Sequence, residues 1–185
     1  RRFFKLYGAD PADLIFWLRE ENEAEESEDG EERYEIRRKY WGYALEQIRN
    51  ACGEEGPFQN VNPTKYQWIN GFFGVGGFYI CCVARYDSAR VEIVMSKARK
   101  EKNKAAFDVL WKHREDIEEK LGIPLCWSRN DDNKASKVYC QLDNVSIANE
   151  TDWIQMARFQ AEWSKGFFDV IVPYLIEIDK NLERI

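Results

Sequence analysis

Residues 77–96, GFYICCVARYDSARVEIVMS, decide the fold. Two apolar runs rich in β-branched and aromatic residues flank Tyr86, Asp87 and Ser88, a turn signal. The second run alternates cleanly. Val91, Ile93 and Met95 fall on one side, and Arg90, Glu92 and Val94 on the other. This period of two predicts a β-hairpin with strands over 77–85 and 89–96.

Toward the N-terminus, Gly71, Gly74, Gly76 and Gly77 precede the first strand. A phosphate-binding loop needs a strand before its glycines and a helix after them, usually with a lysine. Here the glycines lead into a strand, so they predict a tight turn. Residues 54–66 are polar and turn-rich, and read as a loop. Before them Ile36, Tyr40, Ala44 and Ile48 recur every four residues, with Trp41 and Leu45 beside them. That spacing predicts a helix over 33–52, ended by Gly53, Gly56 and Pro57. A shorter helix over 10–19 is expected from Asp10 as cap, Pro11 in the first turn and an apolar face of Leu14, Ile15, Trp17 and Leu18.

Toward the C-terminus, Phe107, Leu110, Ile117 and Leu121 share a stripe that predicts one long helix over 99–121. Gly122 stops it and Pro124 prevents its continuation. Strands are expected over 125–128 and 136–142, joined by the Asn- and Asp-rich turn 129–134. The last element is a helix over 150–183 that Pro173 should kink or break. The order is α-ββ-α-ββ-α. It predicts an α+β fold: a mostly antiparallel four-stranded sheet packed against helices, with a long C-terminal helix. Residues 1–33 are expected to hold an N-terminal helix and acidic segment, and residues 34–185 a single α+β domain.

Composition agrees with one ordered domain. The chain has 185 residues, of which 44% are hydrophobic and 15% aromatic, enough apolar surface to offset the entropy of ordering. Most of its seven tryptophans belong in the core, leaving one or two for a binding surface. The formal net charge of -6 is concentrated in residues 20–32, which carry acidic side chains and no basic one. That run reads as a solvated segment, and the remainder has a small positive excess. Charge alone therefore neither excludes nor demands nucleic acid. The five cysteines are odd in number and form no CxxC pair. They read as reduced, mostly buried thiols, with no disulfide framework or zinc site. With no long apolar run and no signal-peptide pattern, a cytoplasmic protein without a membrane partner is expected.

A set of residues links the elements in order. Tyr40-Trp41 comes first, then Trp68, Gly74 and Gly77-Phe78-Tyr79, then Ala89-Arg90-Val91-Glu92-Ile93. Asn103-Lys104, Phe107-Asp108 and Leu110 follow, then Ile117-Glu118, Leu121-Gly122, Leu125 and Trp127, and finally Lys137-Val138 and Trp153. From residue 37 to about 178 the pattern resembles a bacterial and archaeal domain family of unknown function, often found beside PD-(D/E)XK endonuclease-like domains. The resemblance brings no catalytic residues. It implies a setting in nucleic-acid processing or mobile-element defence.

The chemistry-bearing residues narrow that setting. His113 is the only histidine, which excludes a histidine dyad or a Ser-His-Asp set. A structural or surface role is expected for it. Asp87 and Glu92 offer the acidic half of a Mg²⁺ site, but Val94 stands where a nuclease motif carries lysine, and Lys97 lies on another phase. Arg114 falls on the apolar stripe, where Glu118 is its i+4 neighbour and expected partner. Arg90, Lys104, Trp127 and Lys137 are the candidate nucleic-acid contacts, because guanidinium and ammonium groups bind phosphate and indole stacks on bases. The expectation is a non-catalytic accessory module, without cofactor, that binds nucleic acid or a protein partner such as a nuclease-domain protein. One alternative is a divergent or degenerate metal-dependent nuclease with Mg²⁺ at Asp87 and Glu92. Another is an interaction domain that forms a homodimer. The site requires the second hairpin strand to turn Arg90 and Glu92 outward to solvent.

Overall fold

The computed structural model describes residues 30–182. The expected helix over 10–19 and most of the acidic run lie outside the described residues. The first described helix, α1, spans Gly30–Cys52. Three strands follow: β1 at Trp68–Phe72, β2 at Phe78–Ala84 and β3 at Ser88–Met95. Then come α2 at Lys100–Trp111, α3 at Arg114–Leu121, β4 at Cys126–Ser128 and β5 at Ser136–Asp143. A 3-10 turn, Glu150–Asp152, leads into α4 at Trp153–Val170 and α5 at Val172–Leu182. No helix among the described residues is long and apolar enough to cross a membrane.

The α+β class and the antiparallel sheet are as the sequence predicts. The strands run in the order β1-β2-β3-β5-β4, each pair antiparallel. The sheet gains a fifth strand because Trp68–Phe72 pairs with β2, Trp68 opposite Val83 and Phe72 opposite Tyr79. Alternation sorts the side chains as expected. Ile80, Cys82, Val91, Ile93, Met95 and Val138 face the helices in one large core. Trp68, Tyr79, Cys81, Val83 and Val94 form a smaller cluster on the other face. Cys81 and Cys82 therefore lie in different layers, and all five thiols are free. Burial pushes the Cys82 thiol well above its ordinary range.

Helices α1 and α4 pack against one another beside the sheet. A buried polar link crosses this interface. The Tyr40 hydroxyl donates to Gln160 Oε1 at 2.6 Å, and Gln160 Nε2 donates to the Val83 carbonyl at 2.9 Å. Each buried polar atom in the link thus has a partner, which low-dielectric surroundings require.

Two expected helices are divided. The helix over 99–121 breaks at Lys112 and His113. Their N–H groups donate three residues back, to Val109 and Leu110, tightening the chain at the end of α2. The break re-aims α3 so that Ile117 reaches the core and Glu118 reaches β4. Glu118 Oε1 accepts from the Leu125 N–H at 2.8 Å and from Trp127 Nε1 at 2.9 Å. Arg114 accordingly does not bond Glu118. It lies over the Trp111 ring at 4.4 Å and pairs with exposed Glu115 at 3.2 Å. Gly122 caps α3 with φ 74°, in the left-handed region that favours glycine. The last helix breaks at Ile171. Pro173 then sits in the first turn of α5, where a missing N–H costs no helical bond.

The Leu125 and Trp127 donors hold the Glu118 carboxyl below its ordinary value. Their contribution is complete above the unfolded-chain value of about 4.3. It is lost as pH falls through the lower folded value. Glu118→Gln keeps an acceptor oxygen but removes the charge. Thermal melts should place it a few degrees below wild type at pH 7, with the gap closing in acid. A gap that persists unchanged at low pH contradicts this assignment.

Candidate functional site

The residues proposed from sequence do not converge. Arg90 and Lys137 do meet, on the sheet face opposite the main helical core, because Arg90 pairs with Gln141 and Glu92 with Tyr139 in the β3–β5 register. Between them lies Glu92. Its side chain is 0% exposed, 3.6 Å from Arg90 Nη1 and 3.2 Å from Lys137 Nζ. The expectation that Glu92 turns outward to solvent is therefore corrected. Among the described residues neither carboxylate oxygen has an aligned hydrogen-bond donor, and the group is flanked by two positive charges. Burial first, and then the Glu92 charge, push the neighbouring Cys81 thiol well above its usual range. Arg90 is also occupied: it lies over the Tyr139 ring at 4.5 Å and bonds Gln141.

Lys104 and Trp127 are placed elsewhere. Lys104 is 6% exposed. Its ammonium donates to the carbonyls of Arg129 at 2.6 Å, Asn130 at 2.8 Å and Ala135 at 3.1 Å, and to Ser136 Oγ at 3.0 Å. An ammonium has only three protons, so this cage takes all its donor capacity and leaves none for a phosphate. Lys104 fastens the 129–136 turn to α2. Trp127 pairs across from Val138, on the core side of the sheet, and packs against Phe107 and Trp111. It therefore lies on the opposite face from Arg90 and Lys137.

Asp87 and Glu92 do not form a metal pair. Asp87 is exposed in the hairpin turn, where its Oδ1 accepts from Ser88 Oγ at 2.7 Å. Five residues of strand place it roughly 16 Å along from Glu92. Two carboxylates sharing a Mg²⁺ must each approach within about 2 Å of it.

The sequence reading missed a groove beside β1. Its volume is about 410 Å³, and it lies between the 56–66 loop and the outer edge of the sheet. Polar lining comes from Gln59, Asn60, Asn62, Thr64 and Asn70; ring and apolar lining comes from Tyr66, Trp68, Phe72, Val61, Pro57 and Pro63. None of these side chains is charged. Among the described residues, Asn70 Oδ1 is buried without a hydrogen-bond partner, and Phe72 is 42% exposed.

Helix α1 builds the outer wall. Trp41 Nε1 donates to the Tyr66 carbonyl at 2.8 Å, and Arg37 Nη1 to the Lys65 carbonyl at 3.3 Å. Arg49 donates to the Phe58 carbonyl at 3.1 Å and also to that of Val61. These bonds turn a polar loop into a fixed wall. The inner contact is Phe58, fully buried, whose ring lies flat on Gly71. A β-carbon at position 71 would come within 2.9 Å of that ring. The sequence held two signals for the groove: an amide-rich loop after α1, and a polar Asn70 inside an otherwise apolar Trp68–Phe72.

Residues 36–175 match the family model described as a domain of unknown function (DUF4268). No curated protein and no solved structure matches the chain.

Two substitutions test this placement. Lys104→Met strips the caged carbonyls of their donor and should cost about 2–4 kcal/mol in denaturant unfolding. It should leave any nucleic-acid affinity of the folded protein unchanged. Gly71→Ala forces Phe58 to move and should cost about 1–3 kcal/mol. An unshifted melting temperature for Gly71→Ala would show that the wall does not depend on this contact.

Proposed function

The chain belongs to the DUF4268 family, and we propose that it is a non-catalytic accessory module that binds its ligand in the β1 groove. The resemblance to domains found beside PD-(D/E)XK endonuclease-like domains supports a setting in nucleic-acid processing or mobile-element defence. The observation that carries the reading is the groove's lining. It consists of amides, one hydroxyl, aromatic rings and strand backbone. Such a surface recognises by hydrogen bonding and ring contact. It offers no side chain that titrates near neutral pH, as general acid–base chemistry needs. The charged residues singled out from sequence support the same reading from the other side. Lys104, Glu92 and Arg90 are engaged within the fold.

The buried Asn70 Oδ1 gives the groove a preference. An acceptor shielded from water with no donor is costly, and a ligand N–H or O–H placed against it removes that cost. An uncharged lining also predicts how binding responds to salt. Ligands held through six to ten phosphate contacts lose about 10³- to 10⁵-fold in affinity between 50 and 200 mM salt. A ligand of this groove should change by less than about threefold over that range.

The test uses labelled single- and double-stranded oligonucleotides and a displayed library of short peptides against the full chain. Phe72→Ala and Asn62→Ala, both at exposed positions, should weaken whichever ligand binds by about tenfold, at nearly constant salt response. Binding that ignores both variants places the site elsewhere. Mg²⁺-dependent cleavage by the wild type would replace the accessory role with a nuclease.

A further inference from the structure

The hydrogen-bond phase of β1 narrows the class of ligand, given that the groove is the binding site proposed above. The Ala84 N–H donates to the Gln67 carbonyl at 2.7 Å. In an antiparallel pair, residues alternate between exchanging bonds with the partner strand and pointing them away. Ile69 and Gly71 therefore bond inward, to Cys82 and Ile80. Trp68, Asn70 and Phe72 direct their N–H and C=O groups outward, along the groove. The Trp68 carbonyl accepts from Thr64 Oγ1 at 3.1 Å, which closes one end. The outward backbone groups of Asn70 and Phe72 have no partner among the described residues.

Natural edge strands are commonly blunted by lysine, proline or a bulge. β1 reads Trp68-Ile69-Asn70-Gly71-Phe72, with no charge and no proline, and pairs with β2 in unbroken register. An open edge with none of these devices is a template for another strand.

We propose that the β1 edge receives an extended segment of a partner protein as a sixth strand. Two donor–acceptor pairs spaced two residues apart match the repeat of a polypeptide. Residues of the incoming strand opposite Asn70 and Phe72 exchange both backbone bonds with them. The side chain opposite Asn70 shares its sheet face and donates to the buried Asn70 Oδ1, which selects Asn, Gln, Ser or Thr there. The residue opposite Phe72 packs on its exposed ring. The residue opposite Gly71 points toward the loop wall, beside the Phe58 ring that already covers Gly71. Because the lining is uncharged, the segment is uncharged as well: a buried lysine or glutamate would find no partner there.

Proline substitution tests the backbone once Asn70→Ala and Phe72→Ala, which lose the same side chains but keep the N–H groups, are measured beside it. The N–H groups of Asn70 and Phe72 make no bond to β2, so Asn70→Pro and Phe72→Pro remove the outward donors without breaking the ladder. Peptides enriched from a displayed library of random decapeptides are titrated against wild type, both proline variants and Asn62→Ala. The expected result is about tenfold weaker binding to each proline variant than to the alanine variant at the same position, with slowed amide exchange at Asn70 and Phe72 in the wild-type complex. Should a proline variant fail to fold, peptides N-methylated at alternate residues carry the same test on the ligand side, and one of the two phases should abolish binding. Enriched peptides that ignore both prolines and both N-methyl phases, yet weaken with Asn62→Ala, would leave the groove as the site but sink strand addition. A single-stranded dT10 or rU10 probe that binds through Phe72 while no peptide is enriched would overturn the proposal in favour of an unpaired nucleic acid. A concentration-dependent dimer dissolved by Asn70→Pro would make a second copy of this chain the occupant and overturn the partner protein. No binding by peptide, oligonucleotide or second copy would remove the groove reading and strand addition together.

Discussion

β3 is hydrogen-bonded along both sides, to β2 and to β5. That single constraint commits each of its residues to one of two layers. Val91, Ile93 and Met95 go to the helical core. Arg90, Glu92 and Val94 go to the other face, whatever their polarity. A carboxylate in the middle of such a strand cannot move away without breaking two ladders. It must be matched where it stands, and Arg90 and Lys137 do so from its own strand and the next. The charged trio is a consequence of register before it is anything else, and it is better understood as part of the scaffold than as a site open to ligand.

At the sheet's outer edge the opposite situation holds. β1 pairs with a strand on one side only among the described residues, and what makes it a groove is the loop that α1 fixes opposite it. Trp41, Arg37 and Arg49 all bond carbonyls of that loop. Backbone polar groups that a mobile loop would leave to water are satisfied here by a helix. A preformed wall loses little entropy when a ligand arrives, which favours specific binding by a modest surface. The ligand site and the helix–loop bonds are thus two descriptions of one piece of architecture.

Much of the fold was legible in the sequence because periodicity reports burial directly. The four-residue spacing of Ile36, Tyr40, Ala44 and Ile48 and the two-residue spacing of Val91, Ile93 and Met95 each mark one buried face. β1 was not legible, because five residues with a glycine and an asparagine carry too little alternation. The break at Lys112–His113 was hidden for a different reason: it contains neither Gly nor Pro, and tertiary packing of Ile117 and Glu118 decides it. The candidate site was least legible. Lys104 looks like a solvated helix charge until carbonyls distant in sequence close around it. Trp127 has the chemistry of a stacking platform, but its strand register turns it inward. The groove depends on Asn70 and the loop facing each other, a pairing that no local pattern encodes.

The two adjacent cysteines of β2 have an experimental use that comes from the sheet itself. Cys81 belongs to the smaller cluster and Cys82 to the helical core. One peptide bond separates them in the chain, while the full thickness of the sheet separates their sulfurs' surroundings. A thiol reagent that reaches the first has entered past the layer beside Trp68 and Tyr79; one that reaches the second has come between helices and strands. Their two alkylation rates would clock the breathing of each layer independently, from neighbouring positions in a single proteolytic fragment.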